Sequence, residues 1–130
     1  MFALDTNILI YALKGKGQVR EQLAAVSPSD IGVPAVVAYE LEYGTFRSKS
    51  TEQRRRDLER LFSAITILPL DKRAADHAAR VRYDLERTGA SIGPLDLLIA
   101  GTALAFGATL VTNNIEEFKR VAGLRVENWF

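Results

Sequence analysis

Phe2-Ala-Leu-Asp-Thr-Asn-Ile-Leu-Ile10 decides how the chain is read. A short apolar run reaches a carboxylate at Asp5. Apolar residues then resume at helical spacing through Ile8, Leu9, Ala12 and Leu13. This change of period predicts a buried strand that ends at Asp5 and turns at Thr6–Asn7 into a helix from about Asn7 to Lys14. In an open parallel sheet, ligands lie outside the carboxyl ends of the strands. Asp5 therefore stands where chemistry belongs, and the residues that join it there decide the function.

The same alternation of strand and helix continues downstream. Gly15-Lys-Gly17 breaks the first helix, and Val19, Leu23 and Val26 give a second helical stripe. Ser27-Pro-Ser-Asp30 reads as a loop, Ile31-Gly-Val33 as a strand, and Pro34 as the first turn of a helix reaching about Arg47. Val36, Val37, Glu40, Leu41 and Gly44 share one face of that helix. Tyr39 and Phe46 lie on the opposite side. Glu42 falls roughly 200° around from Glu40, so Glu40 is the carboxylate that faces inward. Thr51 is placed to cap a helix with the apolar stripe Leu58, Leu61, Phe62 and Ile65, decorated by Arg54, Arg55, Arg56 and Arg60. Thr66 to Leu70 reads as a strand, and Asp71 as the cap of a long helix with the stripe Ala74, Ala78, Val81 and Leu85, ended by Gly89. Pro94 opens a helix that is apolar almost all round, Leu95 to Phe106, with Asp96 its one charge. A strand from Ala108 to Thr112, a short helix through Glu116, Glu117, Phe118 and Val121, and a last strand at Leu124-Arg-Val126 complete the pattern. The expectation is an α/β fold, a short, mostly parallel central sheet with helices on both faces.

The 130 residues fit one domain with a real core, and residues 1–130 are read as one. Seventeen Lys and Arg against sixteen Asp and Glu give a formal charge of +1, so a nucleic acid would have to meet a local basic patch. The absence of cysteine excludes disulfides and thiolate zinc sites. The opening stretch has no basic region before its apolar run and carries Asp5 inside it, unlike a signal peptide. The nearly uncharged stretch Leu97–Asn114 is broken by Gly101 and Gly107 and reads as buried helix plus strand, not as a membrane span. A cytoplasmic protein is expected.

Asp5 and Asn114 each follow an apolar strand, Asp96 sits in the first turn of a buried helix, and Glu40 points inward. Each has an ordinary explanation: a capping acid for Asp5 and Asp96, a turn residue for Asn114. In a doubly wound sheet, however, these positions can converge on one edge. Three carboxylates brought within 4–5 Å repel by about 3–4 kcal/mol per pair at an effective dielectric near 20. A hard divalent cation reverses that sign. Mg²⁺ and Mn²⁺ prefer oxygen ligands, keep several waters, and serve in-line phosphoryl displacement. The lone His77, near Asp76 and Arg80 on a long helix, reads as a surface residue.

In these residues the chain resembles the PIN-domain ribonucleases, and within them the VapC toxins of bacterial toxin–antitoxin pairs. The matching segments are Leu4-Asp-Thr-Asn-Ile8, Glu40-Leu-Glu-Tyr-Gly44 with Ser48, Ile92-Gly-Pro-Leu-Asp96 with Ile99-Ala100, Leu110-Val-Thr-Asn-Asn114 with Glu117-Phe118, and Gly123-Leu-Arg-Val-Glu-Asn-Trp129. They follow the family's order and spacing over nearly the whole chain. The resemblance implies a Mg²⁺- or Mn²⁺-dependent endoribonuclease acting on RNA. It implies Asp5 and Asp96 as principal metal ligands, Glu40 as third acid, and Thr6 and Thr112 as supporting hydroxyls. Many members carry an aspartate where Asn114 stands. Asn114 offers a carbonyl oxygen instead, with Glu117 as a further candidate, which leaves one metal or two open. The family also implies homodimers and inhibition by a small VapB-like antitoxin. The likeness extends loosely to members that cut the initiator tRNA.

Three other readings share the architecture. A response-regulator receiver expects an additional acid beside Asp5 and a phosphoacceptor at a middle strand end, and neither appears. A haloacid-dehalogenase-like phosphatase carries a second acid two residues after its first, where this chain has Asn7. A catalytically weak binding module of the same fold is consistent with Asn114.

Overall fold

The structure is a computed structural model that describes residues 1–130. Its elements in order are β1 (Phe2–Leu4), α1 (Thr6–Lys14), α2 (Val19–Ala24), β2 (Ile31–Pro34), α3 (Ala35–Arg47), α4 (Thr51–Ala64), β3 (Thr66–Leu68), α5 (Lys72–Arg87), α6 (Pro94–Ala105), β4 (Thr109–Val111), α7 (Ile115–Phe118) and β5 (Val126–Glu127). One sheet contains all five strands in the order β3-β2-β1-β4-β5, and every pair is parallel. Parallel neighbours need crossovers, and crossovers are right-handed. The steps β1 to β2 to β3 therefore put α1–α4 on one face. The reverse steps β3 to β4 to β5 put α5–α7 on the other. The direction of winding changes between β1 and β4.

Local chemistry sets the ends of these elements. Asp5 has extended backbone and accepts from the Ile8 N–H at 3.1 Å, which caps α1. Asp71 does the same for α5, accepting from the Ala74 N–H at 2.9 Å. Gly15, at φ 68°, closes α1 in the left-handed region that a Cβ disfavours.

Five expectations change in detail. The last strand, β5, begins at Val126 and not at Leu124. Pro34 is the last residue of β2, extended at ψ 141°, and α3 starts after it. Ser50 occupies the cap of α4, while the Thr51 hydroxyl donates backward to the Ser48 and Thr45 carbonyls. β3 stops at Leu68, because Pro69 has no N–H to continue the ladder. Gly44 shares the period of Glu40's face but is exposed, with nothing within 4 Å of where a Cβ would sit.

The core is fully buried along β1 and β4 (Ala3, Leu4, Leu110, Val111) and along the inner face of α1 (Ile8, Leu9). On the other side of the sheet, α6 is buried from Ile99 to Ala103 but opens at its first turn, where Asp96 sits. The placement of α6 depends on its contact with α5. A Cβ on Gly101 would stand 2.6 Å from the Ala78 nitrogen and 2.7 Å from the Ala74 carbonyl oxygen. Only a residue without a side chain allows the two helices to meet at that depth. Alanine in a helix is ordinarily about 1 kcal/mol better than glycine. Here Gly101→Ala is expected to destabilise the protein by about 1–3 kcal/mol, because backbone must move to admit the methyl. A lower midpoint of urea denaturation would show it, and an unchanged or raised midpoint would refute the close contact.

Candidate active site

At the point where the winding reverses, the carboxyl ends of β1 and β4 lie side by side. The Asp5 N–H donates to the Val111 carbonyl at 3.1 Å and carries the ladder one residue past the strand. The fully buried Thr112 hydroxyl donates to Asp5 Oδ2 at 2.5 Å, and the Ile8 N–H holds Oδ1. Asp5 is only 7 % exposed, so both oxygens have a donor but neither has a cation. The same Thr112 oxygen accepts the Asn114 N–H at 2.9 Å, which fixes the turn after β4.

Thr6, the next residue, donates its hydroxyl to Glu40 Oε1 at 2.8 Å across 34 positions of chain. Glu40 is thereby tied to the same rim from α3. Glu42 lies on the other side of the helix, 3.9 Å from Arg55 of α4, as the helical period requires.

Asp96 is the third residue of α6, after Pro94 and Leu95. An acid at this position commonly reaches back to the N–H of the cap residue. In this protein the Gly93 N–H is already taken, by Glu117 Oε1 of α7 at 3.2 Å. The Asn114 side-chain amide donates to the other Glu117 oxygen. A carboxylate from another helix therefore does the capping, and Asp96 is left to face the other acids. Sequence reasoning placed Glu117 only in support. Its anchor, Gly93, is 24 residues away and carries no side chain, so the one local signal is the i, i+3 spacing of Asn114 and Glu117.

The charges interact as this geometry dictates. Burial pushes the Asp5 carboxyl above its usual range. The Thr112 and Ile8 hydrogen bonds pull it back in part, and the charge of Glu40 adds to the rise. Asp96 is pushed up to about 7 by burial, by a hydrogen bond shared with Glu117, and by repulsion from Glu117, Glu40 and Asp5. Burial alone would raise Glu117 too. The Gly93 N–H, the Asn114 amide, the Asp96 hydrogen bond and the charge of Arg120 together outweigh it, and Glu117 falls below its ordinary value. Asp96 and Glu117 thus hold one proton between them near neutrality.

The sequence-predicted residues Asp5, Glu40, Asp96, Thr6, Thr112, Asn114 and Glu117 lie along this one rim. His77 is exposed on α5 and takes no part. None of the protein's ion pairs involves Asp5, Glu40, Asp96 or Glu117. As the side chains stand, no three acids form a ready-made cage for a metal ion. The donors are nevertheless all oxygen, mutually repelling and outside any ion pair with a protein cation. That set suits a hard divalent ion that keeps part of its water and takes only one or two carboxylates directly. It does not suit a closed structural site.

Comparison with known proteins agrees in fold and extent. Residues 2–124 match the family model described as "PIN domain". The chain is 40% identical over 129 residues to the "tRNA(fMet)-specific endonuclease VapC" of Shigella flexneri, covering 98% of this chain and 97% of that one. It is 39% identical over 131 residues to the "Ribonuclease VapC2" of Rickettsia felis, covering 99% and 98%. Among solved structures, the VapBC2 complex of Rickettsia felis bound to a DNA fragment from its promoter superposes with a TM-score of 0.93 at 38% identity, covering 99% of this chain and 98% of that one. The DNA-bound VapBC of Salmonella typhimurium gives 0.93 at 35% identity, with the same coverage.

The acidic rim has a measurable consequence for the metal-free protein. Folded Asp96 keeps its proton up to about pH 7, whereas an unperturbed carboxyl releases it near 3.8. Between those values the folded state binds more protons than the unfolded one, so stability falls as pH rises, and the loss is complete above pH 7. Asp96→Asn removes the charge and keeps a donor toward Glu117. In EDTA its Tm is expected to exceed that of the parent by about 5 °C at pH 8. The difference should shrink toward pH 4. A variant less stable than the parent at pH 8 would show that Asp96 carries no such strain.

Proposed function

The chain belongs to the PIN domain family, and from that premise we propose that it is a metal-dependent endoribonuclease of the VapC kind, the toxin of a toxin–antitoxin pair. The observation that supports this reading best is a rim of four carboxylates at the switch point of the sheet with no Lys or Arg paired to any of them. The relatives named above are ribonucleases, which favours a nuclease over a phosphatase.

In this reading residues 1–130 act as one domain. Asp5 and Asp96 are the principal ligands of Mg²⁺ or Mn²⁺, and Glu40 is the third acid. When bound, the ion supplies Lewis acidity toward a phosphodiester oxygen and lowers the pKa of a water molecule. The protein's own groups prepare for this. Thr112 orients Asp5, and Thr6 orients Glu40, so each carboxylate keeps a fixed direction before substrate arrives. Asn114 supplies no acid of its own. It holds Glu117 beside Asp96, and Glu117 serves as the fourth carboxylate in its place. The proton shared by Asp96 and Glu117 leaves when a cation takes its position, so metal affinity rises with pH.

The substrate is RNA. The name of the Shigella relative makes initiator tRNA the first candidate to test. The VapBC complexes among the structural relatives support a VapB-like antitoxin as partner. Tyr39, Tyr43 and Phe46 are 60 %, 55 % and 69 % exposed along the outer side of α3, a surface suited to a homodimer. No helix is long and apolar enough to cross a membrane, and the reading places the protein in the cytoplasm.

Two measurements test the proposal. RNA cleavage in Mn²⁺ should fall at least about 100-fold in Asp5→Asn and in Glu40→Gln, while Glu42→Gln retains most of the activity, because Glu42 pairs with Arg55 away from the rim. Equal losses at Glu40 and Glu42 would show that the two faces of α3 are not distinguished. Without RNA, Mn²⁺ or Mg²⁺ should raise the Tm of the parent, by linkage worth about 2.7 kcal/mol at one hundred times Kd. A melt indifferent to both ions would remove the metal from the mechanism.

A further inference from the structure

Beside the acidic rim, α1, α3 and α4 enclose a groove of about 340 Å³. The buried side chains of Leu41 and Leu58 line its apolar part, and Glu40 lines it too, so the groove opens directly onto the rim. Lys14, Arg47 and Arg54, one from each enclosing helix, also line it. None of these three cations is in an ion pair, and none of their charged groups donates a hydrogen bond within the protein. Arg47 lies 5.6 Å over the Tyr43 ring, which holds its guanidinium in place without neutralising it. The neighbouring arginines of α4 differ. Arg55 pairs with Glu42, and Arg56 donates to Gln53 Oε1 at 3.1 Å. Three cations without an ion-pair partner therefore line the groove, beside the Glu40 carboxylate.

We infer that the groove seats the RNA strand next to the scissile position, with backbone phosphates on Lys14, Arg47 and Arg54 and one nucleoside against Leu41 and Leu58. The inference rests on the nuclease reading above and extends it to named binding residues. Guanidinium groups match phosphate oxygens in a two-pronged geometry, and a lysine supplies a point charge. The volume lies in the range that small-molecule groups occupy. The strand that reaches the carboxylates must pass Glu40, and the groove begins there. The groove calls for negative charge on its cations and apolar surface on its floor; a protein segment meets both only with acidic side chains placed at three points, whereas every nucleotide carries a phosphate and a base. The strand satisfies both.

The test uses the full chain carrying Asp5→Asn, without metal, and a fluorescent single-stranded RNA oligonucleotide followed by anisotropy. Arg54→Gln and Lys14→Gln should each weaken binding about 5–10-fold and reduce the salt slope by roughly 0.7, the value for one lost single-strand phosphate contact. Arg54→Lys should recover most of the affinity, and Arg56→Gln, off the groove, should change neither quantity. With Asp5 restored and Mn²⁺ present, Arg54→Gln should raise KM and spare kcat. Thermal melts matching the parent would exclude misfolding, and the Arg54→Lys recovery provides an independent check. Unchanged RNA affinity in Arg54→Gln and Lys14→Gln would overturn the inference. So would variants that lose affinity for a cognate antitoxin while binding RNA normally, which would assign the groove to that protein. Asp5-dependent cleavage with unaltered KM in both variants would defeat the groove assignment alone. A parent chain that neither binds nor cuts RNA would defeat the nuclease reading with it.

Discussion

Asp5 sits almost without exposure between the carboxyl ends of β1 and β4, and its two oxygens are held by one hydroxyl and one backbone N–H. A carboxylate this far from water needs donors to remain ionised, and hydrogen bonds satisfy it without cancelling its charge. That distinction organises the protein. An arginine in place of the Thr112 hydroxyl would make a stable ion pair and consume the charge. A threonine orients the carboxylate and leaves its field open to the rim. Thr6 does the same for Glu40. Consecutive residues at the end of one strand, Asp5 and Thr6, thereby bind together β4, α1 and α3 while the negative potential stays unspent.

The cost of this arrangement falls on stability. Like charges gathered in a partly buried site repel, and the protein relieves part of that by letting Asp96 retain a proton shared with Glu117. The relief is conditional. In the proposed reading it lasts until a cation takes the proton's place, so the same crowding that weakens the metal-free fold would favour ion binding. Proteins commonly store strain of this kind where they do chemistry.

Much of this was legible in the sequence, because the informative signals are local. The change from strand to helix period at Asp5 located the first strand end. The 3.6-residue period separated Glu40 from Glu42, and the structure places Glu42 against Arg55 on the other side. Periodicity failed at Gly44, which has the right angle but no side chain to bury. It overextended β3 to Leu70, because apolar character continues past the residue where Pro69 ends the ladder. Glu117 was under-ranked for a different reason. Its partner at Gly93 is a backbone N–H, and no residue type announces a backbone donor. Asp96 stood among apolar neighbours in sequence, whereas its neighbours in space are Glu117, Glu40 and Asp5.

The exchange at Gly93 explains how an acid in the first turn of a buried helix escapes the role such acids usually have. If the Gly93 N–H were free, Asp96 would turn back to satisfy it, and the rim would lose a carboxylate to capping. Glu117 removes that option by occupying the donor from α7, and Asn114 holds Glu117 there. The depth of α6 is then set by Gly101 against the Ala74–Ala78 backbone, five residues from Asp96 on the same helix. Two features with no charge, a glycine N–H and a missing Cβ, thus determine which carboxylate reaches the site and how far it extends. An aspartate at position 114 would add charge but donate nothing to Glu117. The amide is therefore the residue that holds the carboxylate at 117 in place against the Gly93 N–H, and its own lack of charge is what permits that hold.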